Sequence, residues 1–473
     1  MKMWSGRFRQ PLDAEFERWQ RSFPFDQKLL AQELAASRAH AHALQAAGIL
    51  SEDEMKAVVG GLETIGRRAR SEAGYLSDEE AEDVHHFVER ELAAAIGETG
   101  FKLHTGRSRN EQIAIDLRLF VRDSIDELRA LIAQLVRALV QQAEAAGPAA
   151  MPSYTHTQRA EPVLVAHWLL AYVEMLLRDA GRLADCRARL NYGPLGSGAV
   201  AGATLALDRE AMAAELNFCA PTSNSIDATC DRDFAIEFIQ ALSIMAMHLS
   251  RFAEEMILFS TQEYGFVVLP DAYSTGSSAM PQKKNPDSLE LIRGKSGRVI
   301  GAATWLLTMT KGLTLAYNKD MQESQEAVFD AADTMKAVLK ITAGFAAVLE
   351  FDLEHMHEAA SKGFMNAMAA ATYLVRKGVP FRRAHECIGK AVRFCLEKAR
   401  NTGNNCELED LSLEELQQFS VEFGPDVYEH LTLEAVLACH DVVGGTAPAR
   451  VRQALSAARQ KLTTLEGGLH AHT

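Results

Sequence analysis

Three polar stretches of the chain concentrate groups able to take a proton from carbon and to hold the negative charge that results. The richest is Gly276-Ser277-Ser278-Ala279-Met280-Pro281-Gln282-Lys283-Lys284-Asn285-Pro286-Asp287-Ser288-Leu289-Glu290. Its glycine and prolines mark a loop, and Asp287 with Glu290 three residues on has the spacing of a helix cap. Capping leaves two serines, two lysines and an asparagine unexplained. Gathered before a helix N-terminus, they suit a carboxylate ligand and a developing oxyanion.

The second stretch, Lys102-Leu103-His104-Thr105-Gly106-Arg107-Ser108-Arg109-Asn110-Glu111, sets two arginines around a serine. Ser108 and Glu111 have capping-box spacing, which is explanation enough for those two. Arg107 and Arg109 beside free helix N–H groups make an anion site. The third, Met151-Pro152-Ser153-Tyr154-Thr155-His156-Thr157-Gln158-Arg159-Ala160-Glu161-Pro162, carries one histidine among polar neighbours. A lone loop histidine is more often a hydrogen-bonded structural residue than a catalyst. Pro162 suits the first turn of a helix carrying Val165, Trp168 and Leu169.

Long helices must position these loops. Val121, Ile125, Leu128, Ile132, Leu135 and Leu139 step by four and three residues, as do Phe238, Leu242, Met245, Leu249, Phe252, Met256 and Phe259. Val328, Met335, Thr342 and Leu349 repeat every seven, with Ala331, Val338 and Phe345 interleaved. Such stripes mark long helices packed nearly parallel. Gly294, Ser296, Gly297, Gly301 and Ala302 in the segment from Leu289 to Leu306 predict close backbone approach in a crowded bundle. These seams exceed what one subunit satisfies, so oligomerisation through a shared bundle is expected.

The fold class expected is all-α, in three domains: residues 1–104 of short helices, 105–359 as the central bundle, and 360–473 of shorter helices again. Ser51 to Glu54 and Ser412 to Glu415 are capping-box patterns, and Gly444-Gly445-Thr446-Ala447-Pro448 is a turn into a last helix. Fraying is expected from Gly467 to Thr473. A length of 473 residues fits more than one core, and 48% hydrophobic with 24% charged residues is an ordinary globular balance. The net charge of -14 argues against nucleic acid as a partner. An anionic small substrate remains compatible, because a local basic cluster can hold one. Seven scattered cysteines without CxxC spacing point to a reducing compartment. The start has no apolar signal region, and no stretch is apolar enough to cross a bilayer; a cytoplasmic protein is expected.

The Gly-Ser-Ser-x-Met-Pro-x-Lys-x-Asn-Pro pattern at 276–286 resembles the signature of the aspartase/fumarase superfamily, whose members eliminate fumarate from succinyl compounds. Gln282-Lys283-Lys284-Asn285-Pro286-Asp287, His104 to Asn110 and Tyr154 to Ala160 are most similar to the argininosuccinate lyase family. Trp4 to Phe8, Tyr317 to Glu323, Val379 to Arg382 and Gly444 to Thr446 extend the likeness over almost the whole chain.

The resemblance implies a homotetramer built on a shared multi-helix core, with each site assembled from loops of three subunits. Argininosuccinate would lose a proton beside a carboxylate to give an enediolate-like dianion, and the guanidino nitrogen would then leave as arginine. Ser277 matches the base, Lys283 and Asn285 the groups holding the dianion with Thr155 and Ser108 beside them, and His156 paired with Glu290 the candidate acid. Ser22, Asp83, Arg109, Asn110, Tyr317 and Gln322 match substrate-positioning residues. No cofactor or metal is implied, and the His and Cys spacings fit no zinc pattern.

Two departures stand out. Gln325 replaces a lysine that the family places against the arginine end of the substrate, so weaker affinity there is expected. In Asn366 to Tyr373 the usual acidic residues are missing, which reads as altered packing. Two rival functions are another fumarate-releasing lyase, of adenylosuccinate lyase, fumarase or aspartase type, and a silent crystallin-like structural protein. The Gln282 to Asp287 and Gly106 to Asn110 segments oppose the first, and intact Ser277, His156, Lys283 and Glu290 the second.

Overall fold

A computed structural model describes residues 10–470. The motif Trp4 to Phe8 and residues 471–473 lie outside the described part. In chain order the main elements are α1 (Leu30–Ala46), α2 (Glu52–Ser71), α3 (Val84–Ile96), α4 (Arg109–Ala145), the hairpin β1 (Ala150–Thr155) and β2 (Gln158–Leu164), and α5 (Val165–Leu190). There follow α6 (Asp233–Phe259), the short hairpin β3 (Thr275–Gly276) and β4 (Lys284–Asn285), α7 (Asp287–Thr310), α8 (Glu323–Ala347), α9 (Ala367–Arg376), α10 (Phe381–Thr402) and α11 (Pro448–His470). The fold is mostly helical, as expected. Among the described residues its strands form only two-stranded pieces.

The three heptad series are buried along their whole length, from Val121 to Leu139, Phe238 to Phe259 and Val328 to Leu349. Removing such stripes from water is the main force holding long helices side by side. Two compact units result, and α4, α5, α6, α7 and α8 each contribute residues to both.

The first unit takes residues up to Leu128, Gly181–Ile244 and Gly297–Lys336. Ser51 and Glu54 close the expected capping box at the start of α2. Gly61 of α2 lets α3 approach closely: a Cβ there would stand 2.4 Å from Leu92 Cδ1 and would make that side chain turn aside. Ala36, Ala39 and Ala43 of α1 form a core with Ile115 and Leu119 of α4, together with Leu195, Met212, Leu216 and Phe218.

The second unit takes Arg129–Ala180, Met245–Ser296 and Ala337–Thr473. Leu374 of α9 and Ile388 and Cys395 of α10 pack with Leu408, Leu416, Phe423 and Leu431 into a core of their own. Ser412 and Glu415 form the second expected capping box. Helix α11 opens on Pro448 as expected, but it continues through Gly467 to His470 where fraying was expected.

The segment before α5 differs from expectation. Pro162 does not open a helix: it lies in β2 directly opposite Pro152 of β1. Neither proline has an N–H to offer, so the pair sits where the ladder needs none. The last strand residue is secured from elsewhere, since Leu164 N donates to Thr446 Oγ1 at 2.8 Å. That contact explains the Gly444-Gly445-Thr446 motif. Gly444 adopts φ 80°, and a Cβ on Gly445 would meet the His440 carbonyl at 2.1 Å. Gly445→Ala should therefore displace the turn and cost about 1–3 kcal/mol, as overpacking does. A melting temperature equal to the parent's would show that the turn has room to spare.

Candidate active site

In the first unit the candidate residues collect around the N-terminus of α4. Glu111 Oε1 accepts from Ser108 N at 2.9 Å, and Ser108 Oγ accepts from Asn110 N at 3.3 Å. The expected cap is present, and it fixes both residues. The Asn110 side-chain amide is left without a partner among the described residues.

The two arginines divide, against the expectation that both serve an anion. Arg107 points inward and is almost fully buried; it donates to Ser37 Oγ at 2.9 Å and lies 3.8 Å from Glu33 Oε1. Around it Glu33, His85 and Asp116 each place one atom within 4.8 Å of the others, with His85 Nδ1 2.8 Å from Glu33 Oε2. Burial pushes Glu33 upward, but His85 and Arg107 outweigh it and hold its carboxyl well below the usual range. Burial and the charge of Glu33 drive Asp116 well up. Arg107 is thus the buried counter-ion of this cluster. Sequence alone gives no sign of it, because Glu33, His85 and Asp116 are far apart in the chain.

Arg109 is the arginine that stays with the candidate residues, its Nε 3.1 Å from Asp83 Oδ2. Asp83 also caps α3 by accepting from His86 N at 2.7 Å. Its burial raises the carboxyl, yet Arg109 and His85 prevail and the pKa is lowered. Ser22 joins through the backbone, its N donating to Glu82 O at 2.9 Å. Its hydroxyl donates to Asp26 Oδ2 at 2.6 Å, and burial with Asp83 nearby lifts Asp26 to about 7. Asp26 was not singled out from the sequence; its place at the end of the four-residue helix Phe23–Asp26 looked unremarkable. Gln322 Nε2 donates to Gln20 O at 3.2 Å and ties its segment to the Ser22 loop. The Tyr317 phenol is kept protonated by burial, which raises its pKa.

In the second unit the β1–β2 hairpin carries Thr155 and His156 at its exposed tip. The two-residue turn has φ 54° at His156 and 57° at Thr157, as a type I′ turn requires. Asn-Gly is the usual choice for such a turn, so a His-Thr pair there is strained.

The β3–β4 hairpin presents residues 277–283 as its loop. Ser277 Oγ accepts from Ala279 N at 3.3 Å and from Met280 N at 3.1 Å. The adjacent lysines separate in role. Lys284 is consumed by the Leu269 carbonyl and Asp271, whereas the exposed Lys283 ammonium has no partner among the described residues. Asn285 reaches back to Gly276 O at 3.5 Å. Below, Ser288 Oγ donates to Tyr273 O at 2.6 Å, and Gly344 makes room for the Tyr273 hydroxyl, which lies 2.0 Å from where a Cβ would be. The expected Asp287–Glu290 cap does not form: Asp287 takes the Thr275 hydroxyl instead. Glu290 is left exposed, and among the described residues neither it nor His156 has a side-chain hydrogen bond or ion pair.

Long helices dominate the chain, with Ser277 on a hairpin loop and Arg109 at a helix N-terminus. The profile of the lyase family matches residues 6–301, and that of the argininosuccinate lyase C-terminal region matches residues 364–438. The argininosuccinate lyases of Acidobacterium capsulatum and Koribacter versatilis are each 59% identical to this chain over 98% of its length and over 95% and 98% of their own. An EDDS lyase variant solved with bound fumarate superposes at a TM-score of 0.83 with 25% identity, covering 98% of this chain and 93% of that one. The class II fumarase of Schistosoma mansoni shares the fold at a TM-score of 0.72 and 16% identity, over 86% and 90% of the two chains. The chain is a lyase. It belongs to the argininosuccinate lyase family.

Two histidines close to Arg107 add an acid-sensitive contribution to this unit. Burial, with Arg107 second, lowers His40 to about 3 and His104 to about 4. His40 Nε2 faces Thr105 O at 2.9 Å, so it donates there as a neutral ring. The unfolded chain binds a proton at each histidine below about 6.5, while the folded chain resists until near those lower values. The histidines' contribution is whole above pH 6.5 and drains as pH falls towards 4, by up to about 1.4 kcal/mol per pH unit for His40, while Asp26, raised to about 7, contributes in the opposite sense over the same window. His40→Gln should flatten the fall of melting temperature over that window; an unchanged slope would show that His40 takes up its proton without cost.

Proposed function

We propose that the chain cleaves argininosuccinate to L-arginine and fumarate by acid/base β-elimination, serving arginine biosynthesis. The observation that carries this is the setting of Ser277, whose oxygen already accepts two backbone N–H groups. Donors aimed at an oxygen stabilise it as an anion, which is what a serine base requires. Ser277 takes the proton from the carbon beside a succinyl carboxylate. Lys283, Asn285, Thr155 and Ser108 hold the dianion that forms. As the carbon–nitrogen bond breaks, the guanidino nitrogen gains a proton from the side of His156 and Glu290. Arg109, Asn110, Asp83, Ser22, Tyr317 and Gln322 position the substrate. This scheme draws on no cofactor or metal.

The reading includes a homotetramer with sites shared between subunits. Its support is α7, which exposes Leu291, Ile300, Trp305 and Leu307 to solvent. Gly294, Gly297 and Gly301 on the same helix have nothing within 4 Å of a Cβ position. Apolar side chains beside open small residues suit close packing by helices of other copies. The unpartnered His156, Glu290, Lys283 and Asn110 side chains fit groups that meet their partners only on assembly. The three-part division at 104 and 359 belongs to the same reading, supported for the last part by its separate core. A cytoplasmic setting is supported by seven cysteines that are all free thiols; no helix among the described residues is long and apolar enough to cross a membrane.

Light scattering should give a tetramer, and an active monomer would refute shared sites. His156→Asn and Asn110→Ala, each inactive alone, should recover activity when denatured together and reassembled. No recovery in confirmed mixed tetramers would mean that one chain builds each site. Ser277→Ala should fold normally and bind argininosuccinate by calorimetry, yet lose roughly 10²–10⁴ in kcat, the scale of positioned proton transfer. Fumarate release within a few-fold of the parent would remove Ser277 from the mechanism.

A further inference from the structure

The side chain proposed as the acid has nothing of its own to hold it. Among the described residues His156 makes no side-chain hydrogen bond or ion pair, so the backbone at the hairpin tip decides where its imidazole stands. That backbone is weakly secured from within, because a two-stranded hairpin is marginal by itself. Pro152 faces Pro162, and neither can donate to the ladder. A bulge between Pro152 and Tyr154 then sets the pairs Tyr154–Arg159 and Thr155–Gln158 apart from the inner register. The turn beyond them carries the two positive φ angles at His156 and Thr157. Such a tip has to be fastened from outside.

Each strand supplies one fastening. On β1 the Tyr154 ring packs against Phe259 and Tyr264, with centroids 5.9 and 5.5 Å away. On β2 Arg159 Nη1 donates to Ala359 O at 3.1 Å. Ala359 belongs to the last turn of the helix Leu353–Ala360, where carbonyls have no helix N–H to accept from. A guanidinium suits that place twice over, as a donor and as a positive charge at the negative end of the helix.

The segment that Arg159 grips is itself fixed. Gly363 N and Phe364 N donate to the two oxygens of Glu407 at 3.0 and 2.9 Å. Gly363 has φ 83° and passes close to the Arg159 stem, since a Cβ there would stand 3.8 Å from Arg159 Cδ. Glu407 holds the turn that ends the helix, and the helix end holds Arg159.

We propose that Arg159 is a positioning residue for His156 and Thr155, and that Glu407 acts through the same contact. The inference rests on the role proposed for His156. Both residues work through the hairpin rather than on the substrate, so their effect belongs to the geometry of proton transfer and not to binding.

The test compares the assembled parent with Arg159→Met, Arg159→Lys, Glu407→Gln and the double variant Arg159→Met/Glu407→Gln. Arg159→Met keeps the stem and removes the donor. It should lower kcat by roughly 10–100-fold, the scale of a misplacement of about 1 Å, and leave KM for argininosuccinate nearly unchanged. Arg159→Lys still reaches the carbonyl and should recover most of the loss. Glu407→Gln should lose less than Arg159→Met, and the double variant no more, because two residues acting through one contact do not add. Amide hydrogen exchange over residues 150–164 should be faster in Arg159→Met, and exchange in α5 unchanged. A lower melting temperature with kcat intact would make Arg159 a structural residue and overturn the proposal. A raised KM with kcat intact would make it a substrate ligand and overturn it equally. Additive losses would separate Glu407 from Arg159. If Arg159→Met does not assemble, Arg159→Lys and Glu407→Gln carry the same comparison. A His156→Asn tetramer as active as the parent would instead remove the role of His156, while the exchange measurement, which needs no turnover, still decides whether Arg159 holds the tip.

Discussion

Packing of the apolar stripes on α4, α6 and α8 is the constraint from which the chemistry follows. The candidate loops run straight into long helices: Ser108 into α4, the His156 hairpin into α5, the Ser277 hairpin into α7 and the Tyr317 to Gln322 segment into α8. A helix held along a buried stripe cannot rotate without exposing it. The segment at its N-terminus inherits that fixed orientation, together with free N–H groups and a positive dipole end. Elimination through a dianion needs such settings, because donors that must reorganise during the reaction stabilise charge less than donors already in place.

Where local order and charge meet, the protein spends stability. Arg107, Glu33, His85 and Asp116 are all withdrawn from water beneath the Ser108 loop. Breaking one member leaves its partners charged and buried, which is severe, whereas an apolar replacement of the whole cluster could be neutral. The cluster therefore makes more sense as a device of position than of stability. It holds the start of α4, while Arg109, two residues on, is paired with Asp83 instead.

Much of the fold was legible because it depends on periodicity. Every heptad position read from the sequence is buried, and both capping boxes away from the site form as read. The hairpins were not legible. Pro162 has the same local preference at a helix start and opposite Pro152 in a ladder, and the choice is made by Thr446, nearly three hundred residues away. Within the site, sequence pattern picked out the residue types but not their directions. Arg107 and Arg109 look alike in the chain and part only when Glu33 and Asp83 claim one each. Lys283 and Lys284 part in the same way through Asp271.

The turn at His156 and Thr157 sets durability against turnover. Two L-residues with side chains stand where glycine or asparagine is more comfortable, at a cost of about 1–3 kcal/mol each by the usual scale of backbone strain. Replacements that relax the turn, asparagine or glycine among them, harden the molecule and remove the imidazole in one step. A lineage valuing this bundle for longevity alone would thus find the path to inertness downhill at this hairpin. On the role proposed for His156, the strain at this tip is what keeping an imidazole there costs the fold.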